Sequence, residues 1–569
     1  MAADKETNRI EKNFDGWPDM SRYPKFSELI YKPVFLNEIR MLARQSRDHL
    51  EFSENVADIL HEIQPLKEIL DRYQQAYALA GMCHNLDPHD IFYQHELQRH
   101  FRDRRLMREL MDEIYQVILE RSDLLSGIAR LTGKLPILNA HNQTAINRDH
   151  LSVEQTEEVE LVSDLRQIGD IFPDLPKDLD IAVPYQQPDE ARMLEMVGEL
   201  IDVRHTLAQK QGFPSFLEFG YRRLGYFDFD PDEARSLRYT IERYIVPLAA
   251  RIRTKIKEMG GSAPADIFSA SYIPWTEQKI DELIFAPERD QRQHNLKINQ
   301  GLVDSLAGCS PPFWEALYDL EYVQSFHRPD EFVHNKCFRL TDPALPVIFT
   351  NRKLSCESLA DYFNMAGRAY GYLCCQEKNR YFFYQDPSLA TVRIWGKGME
   401  CLSYFGCETI FENVEMADFW TRWHMQNLLL ELPLQAMLDE FQVQLFTVNT
   451  RSSERWYRFW LRLVQRYFPD LCDDSEWLKR QASLWLCCQS TYIEPYSSLS
   501  KVVAIITGLS LWDIANRRRS EALTAFETFC TMTFDDTCLR LLNSAKIPDP
   551  FNPRTIKRIA FQCADFLEL

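Results

Sequence analysis

Glycine is scarce, 19 residues in a chain of 569, and strict apolar–polar alternation is rare, so an all-β reading has no support. The 14 cysteines contain no CxxC pair, which removes the zinc-ribbon and thioredoxin-like readings. They read as reduced thiols packed as small hydrophobes. A basic excess is also missing: 65 Lys and Arg stand against 84 Asp and Glu, a formal net charge of -19. Nucleic acid and anionic membranes both require clustered positive charge, so neither is an expected partner. No run of about 18 apolar residues is evident, so no membrane span is expected. The first residues, MAADKETNRIEKNFDGWPD, lack an apolar signal core, and the expected location is the cytosol.

What is present is helical periodicity. VADILHEIQPLKEILDRYQQAYALAG, LMRELMDEIYQVILERSDLLSGIARL and PDEARSLRYTIERYIVPLAARIRTKIKEMGG all place apolar residues at three- and four-residue steps. The last opens on Pro231, Asp232 and Glu233, suited to a helix start, and closes on Gly260-Gly261. Breaker-rich stretches near 170–190 and 261–275 are the expected lobe boundaries. One segment differs: CFRLTDPALPVIFTN, Cys337 to Asn351, has short apolar runs around prolines and predicts a few edge strands. The expected fold is mainly α, with a small sheet beside one helix.

HELQRH, His95 to His100, is one residue too long for the HExxH zinc helix. Histidines five apart diverge by roughly 140° on a helix and cannot grip one ion together. His84 and His89 share that offset, and all four read as solvated or capping histidines.

The stretch DYFNMAGRAYGY, Asp361 to Tyr372, has the small residues of a closely packed helix. It belongs to an ordered series: QGFPSFLEFGYRRLGYFDFDPDEA, IERYIVPLAARI, CFRLTDPALPVIFTN, DYFNMAGRAYGYL, VRIWGKGMECL and HMQNLLLELPLQAMLDEFQVQLF. In this order the series resembles the thimet-oligopeptidase/oligoendopeptidase F family of zinc metallopeptidases over roughly residues 200–569. The resemblance implies a two-lobed helical shell around a deep channel, with a small sheet next to the active-site helix. It divides the chain into an N-terminal helical lobe, residues 1–190, and a catalytic-type domain, residues 191–569.

That family carries two zinc-binding histidines and a general-base glutamate in HExGHxF. The resemblance sets Asn364 and Arg368 at the histidines and Met365 at the glutamate. Ala366, Gly367, Ala369 and Tyr370 keep the packing pattern. The third ligand position, 25 residues after Arg368, is Arg393; a second glutamate seven further on is kept as Glu400; Trp395 stands where the family often has histidine. Asparagine, methionine and two arginines cannot form a zinc site, so no metal and no cofactor is expected. The family's tyrosine-rich segment is matched by Thr491-Tyr492-Ile493-Glu494, with Tyr496 after Pro495, which leaves open whether Tyr492 or Tyr496 faces the channel. LDEFQ, Leu438 to Gln442, reads as support behind it.

Arg368 and Arg393, brought close together, would need negative partners. Either Glu400, Asp361 or Glu494 pairs with them, or a bound carboxylate or phosphate does. The ligand-binding set is therefore Asn364, Arg368, Arg393, Trp395, Tyr492 and Tyr496. The leading reading is a catalytically silent oligoendopeptidase-like protein that binds a peptide or small anionic molecule, with a partner protein or self-association as a further expectation. The alternative is a metal-independent enzyme acting on a small carboxylate- or peptide-derived substrate, with Tyr492, Tyr496 and Glu400 as catalytic candidates. A third is a helical scaffold whose channel has closed around Met365 and Trp395. Cys374-Cys375 and Cys487-Cys488 lie near these positions in sequence and read as buried, inert thiols.

Overall fold

The computed structural model describes residues 23–53, 55–87, 89–124, 158, 161–162, 190–273, 298, 300–302, 304–306, 314, 317–326, 336–342, 345–351, 356–375, 387–411, 413–447, 451–488, 490–533 and 536–569. The breaker-rich stretch near 170–190, and with it the expected lobe boundary, lies outside the described residues, as does Cys309.

Helices α1 (Leu36–Phe52), α2 (Val56–Glu62), α3 (Gln64–Leu86) and α4 (Ile91–Glu120) form the N-terminal group. They pack through Ile39, Ala43 and Leu50 of α1, Leu66, Ile69 and Tyr73 of α3, and Ile114 and Ile118 of α4. Next come α5 (Glu190–Lys210), α6 (Phe216–Arg223) and α7 (Pro231–Glu258). As its sequence predicts, α7 starts at Pro231: Asp230 accepts from the backbone of Asp232 and Glu233, and Glu233 reaches back to the Asp230 amide.

A three-stranded sheet follows, made of β1 (Val323–Phe326), β2 (Lys336–Arg339) and β3 (Pro346–Asn351) in the order β1-β3-β2. The expectation of edge strands holds for β2 but not for β3, which is central, parallel to β1 and antiparallel to β2. Proline is tolerated there because Pro346 is the first residue of the strand. Phe338 of β2 packs on Gly81 of α3, and the Thr341 amide donates to Gln75 at 2.8 Å, tying the sheet to the N-terminal helices.

The remaining chain is helical: α8 (Cys356–Cys374), α9 (Leu389–Leu402), α10 (Cys407–Phe411), α11 (Val414–Thr447), α12 (Ser453–Tyr467), α13 (Ser475–Arg480), α14 (Ser490–Ile493), α15 (Ser497–Arg517), α16 (Arg519–Thr531), α17 (Cys538–Ser544) and α18 (Pro553–Phe566). The sheet packs on α8 through β2 and β3. Contrary to the sequence expectation, one described helix, α15, is long and apolar enough to cross a membrane. Here its apolar surface is spent on neighbouring helices: Leu499, Ser500 and Val502 through Leu511 are buried, against α9, α11, α16 and α18.

His100 is a second correction. It is enclosed, edge-on to Tyr73 and Tyr77, and burial together with the adjacent Arg99 charge holds its pKa down at about 4. It is a neutral core histidine, while His95 and His89 are exposed as expected.

Candidate functional site

Helix α9 lies between α8 and α15 in contacts too close for side chains. A Cβ at Gly367 of α8 would collide with the Trp395 carbonyl of α9, and one at Gly508 of α15 would sit 2.6 Å from the Lys397 carbonyl. A Cβ at Gly396 would meet the Asn364 amide at 2.5 Å. The small residues of the DYFNMAGRAYGY stretch therefore have a physical reason, and the crossing brings Asn364 and Arg368 to Arg393 and Glu400.

Asn364 Nδ2 donates to Glu400 Oε1. The other carboxylate oxygen accepts from Lys397 Nζ at 2.8 Å and lies 3.1 Å from His424 Nε2 of α11. Burial alone would raise the Glu400 pKa, but the Lys397 charge and the His424 contact override it and hold it at about 2. His424 Nδ1 meets the Tyr404 hydroxyl at 2.7 Å, and its ring stacks on Trp420 with centroids 5.1 Å apart. Glu400 is thus saturated by neighbours other than the arginines, which corrects the expectation that it might neutralise Arg368 or Arg393.

Arg393 Nη1 donates to the Ser497 carbonyl and to Ser500 Oγ, at the start of α15. Burial lowers its pKa and the Arg368 charge pushes the same way, while Tyr226, Glu494 and Glu431 oppose them. Arg368 is half-buried; its Nε is enclosed without an acceptor, and among the described residues it makes no ion pair. Met365 and Trp395 are buried, Trp395 completely, with its ring face against Gly371.

The two tyrosines differ. Tyr492 is buried and gives its hydroxyl to the Leu486 carbonyl at 2.9 Å. Its own carbonyl, with that of Ile493, is held by Arg204, which in turn pairs with Glu158 at 2.8 Å. Tyr496 caps α15 in the left-handed region, φ 67°, with an enclosed hydroxyl that finds no partner. Its amide donates to Gln442 Oε1 at 2.8 Å and its carbonyl accepts from Tyr226 at 3.1 Å. Gln442 also donates to the Ser490 carbonyl at 2.9 Å, and Asp439 pairs with Arg238, so LDEFQ does support this corner.

Sequence reasoning missed Lys397, Tyr404, Tyr226 and Ser500 as members of the cluster. Lys397 was detectable, three residues before Glu400 on one helix. Tyr404, four residues after Glu400, is equally near in sequence; Tyr226 and Ser500 come from distant segments and carry no local signature.

The donor set does not fit zinc. Asn364 and Glu400 are bonded to each other, Lys397 and His424 take the remaining Glu400 oxygen, and the other positions are guanidiniums and a thioether. Among the described residues no group of three or more His, Cys, Asp or Glu is placed to hold an ion. Of the four cysteines expected to be buried, Cys375 is, while Cys374, Cys487 and Cys488 are half-buried; desolvation still pushes the Cys374 thiol up and that of Cys487 to about 11.

A mainly helical chain with a small sheet against α8, and α8 crossing α9 through glycines, has the fold of the oligoendopeptidase F-type peptidases. PZ peptidase A, solved with an inhibitor, superposes with a TM-score of 0.78 at 19% identity, over 96% of this chain and 99% of that one. A protein assigned as oligoendopeptidase F gives 0.77 at 20% identity, over 96% and 99% of the two chains. Another so assigned, from Bacillus anthracis str. Ames, gives 0.75 at 17% identity, over 96% and 98%. No family model matches the sequence, and no curated protein is significantly similar to it in sequence.

Proposed function

We propose that this protein is a catalytically silent oligoendopeptidase-like protein that binds a peptide or small anionic molecule where α8 crosses α9. The observation that carries the reading is Arg368: a half-buried guanidinium, close enough to Arg393 to lower its pKa, without an ion pair among the described residues. Like charges gathered in a poorly solvated place favour an anion, and guanidiniums hold carboxylates with two parallel bonds. The saturation of Glu400 supports silence, because a carboxylate held at about pKa 2 and already bonded to three groups is a poor base.

The test is cleavage of an unstructured, internally quenched peptide by protein purified without added metal, then with zinc, and then with a chelator. No cleavage in any condition is expected. Chelator-sensitive cleavage would overturn the reading.

A further inference from the structure

Asn364 and Arg368 lie four residues apart on one face of α8, and the Gly367–Trp395 crossing brings Arg393 of α9 toward them. Two unmet bonds stand one helical turn apart: the Arg368 Nε donor, and the Asn364 Oδ1 acceptor on a side chain only 8% exposed. Arg393 spends one nitrogen, Nη1, on both of its bonds to α15, so its other N–H groups are uncommitted in those contacts. The surroundings are not uniformly positive, since Glu431 and Glu494 act on Arg393. A multiply charged phosphate would satisfy the arginines but crowd these carboxylates. A singly charged group with an adjacent N–H matches both the cationic pair and the empty acceptor.

We infer that the Arg368–Arg393–Asn364 cluster receives an α-carboxylate whose neighbouring nitrogen carries a hydrogen: a free amino acid or the C-terminal residue of a peptide. The carboxylate takes guanidinium N–H groups, and the adjacent N–H goes to Asn364 Oδ1. This rests on the ligand-binding reading above and narrows it to one chemical class.

Titration calorimetry on the full chain tests it with four probes: trialanine, its C-terminal amide, free alanine and inorganic phosphate. Trialanine or alanine is expected to bind, and whichever is tighter identifies the source. Amidation is expected to weaken trialanine at least tenfold, and Arg368→Gln to weaken the preferred carboxylate at least tenfold. Arg368 makes no ion pair among the described residues, so this variant should fold; circular dichroism checks it, and Arg393→Lys gives a second reading. If the amide binds as well as the acid, the carboxylate inference falls while peptide binding stands. If phosphate binds more tightly and is lost in Arg368→Gln, the anion site stands and the inference falls. Binding indifferent to both arginines places the site elsewhere and overturns the inference. If no probe binds, the inference and the reading beneath it fall together.

Discussion

Asn364 donates its side-chain amide to Glu400 across the α8–α9 crossing, and the missing Cβ of Gly396 makes room for it. This bond joins two positions 36 residues apart into one buried polar cluster with Lys397 and His424.

The first prediction concerns pH. The folded Glu400 pKa is depressed from 4.5 to about 2, so its contribution to stability is complete above about pH 4.5 and is lost as pH falls toward 2. Glu400→Gln should cost roughly 3 kcal/mol at pH 7, because it leaves the half-buried Lys397 without its partner. The gap between wild type and variant, measured by urea unfolding from pH 7 to pH 3, should shrink across that window. A constant gap would show that the Glu400 charge contributes nothing.

The second concerns close packing. Gly367→Ala places a methyl group against the Trp395 carbonyl, a backbone atom held in the middle of α9. A loss of about 3 kcal/mol is expected, the upper end for overpacking. A variant unfolding at the wild-type urea midpoint would mean that the two helices are farther apart than described.

The third contrasts two hydroxyls. Tyr492→Phe removes the bond to the Leu486 carbonyl and should cost about 1 kcal/mol. Tyr496→Phe removes a buried hydroxyl without a partner and should be neutral or stabilising by up to about 1 kcal/mol. Thermal unfolding of the two variants side by side checks the order; equal losses would contradict it.

The fourth concerns thiols. Burial pushes the Cys337 thiol up to about 12 and those of Cys472 and Cys487 to about 11, leaving little thiolate at neutral pH. Iodoacetamide at pH 7.5 should leave the peptides bearing these residues unlabelled in the native protein and label them in urea. Rapid native labelling of Cys337 would contradict its raised pKa.

Much of the architecture was legible because it is written in local terms. The Pro231-Asp232-Glu233 start and the apolar period of α7 announce that helix, and the glycines and alanines of α8 announce a close neighbour. The central place of β3 was not legible, because it depends on β1, whose Val323–Phe326 segment offers no strong alternation of its own. The partners of Arg393 were hidden for a different reason: Ser497 acts through its carbonyl, and a backbone atom leaves no mark in a residue pattern. His100 looked solvated because most of its neighbours in sequence are polar, whereas its neighbours in space are Tyr73 and Tyr77.

The glycine contacts of α9 have one further consequence. A helix pressed on two sides against backbone has no rotamers to exchange and no gap for water, so it can open only when its neighbours open with it. Arg393 and Glu400 ride on that helix, and Asn364 and Arg368 on the one beside it. Arg368 Nε and Asn364 Oδ1 are themselves enclosed, so recognition at this crossing would wait on that joint opening, its speed set by the helices that carry the contacts rather than by diffusion alone.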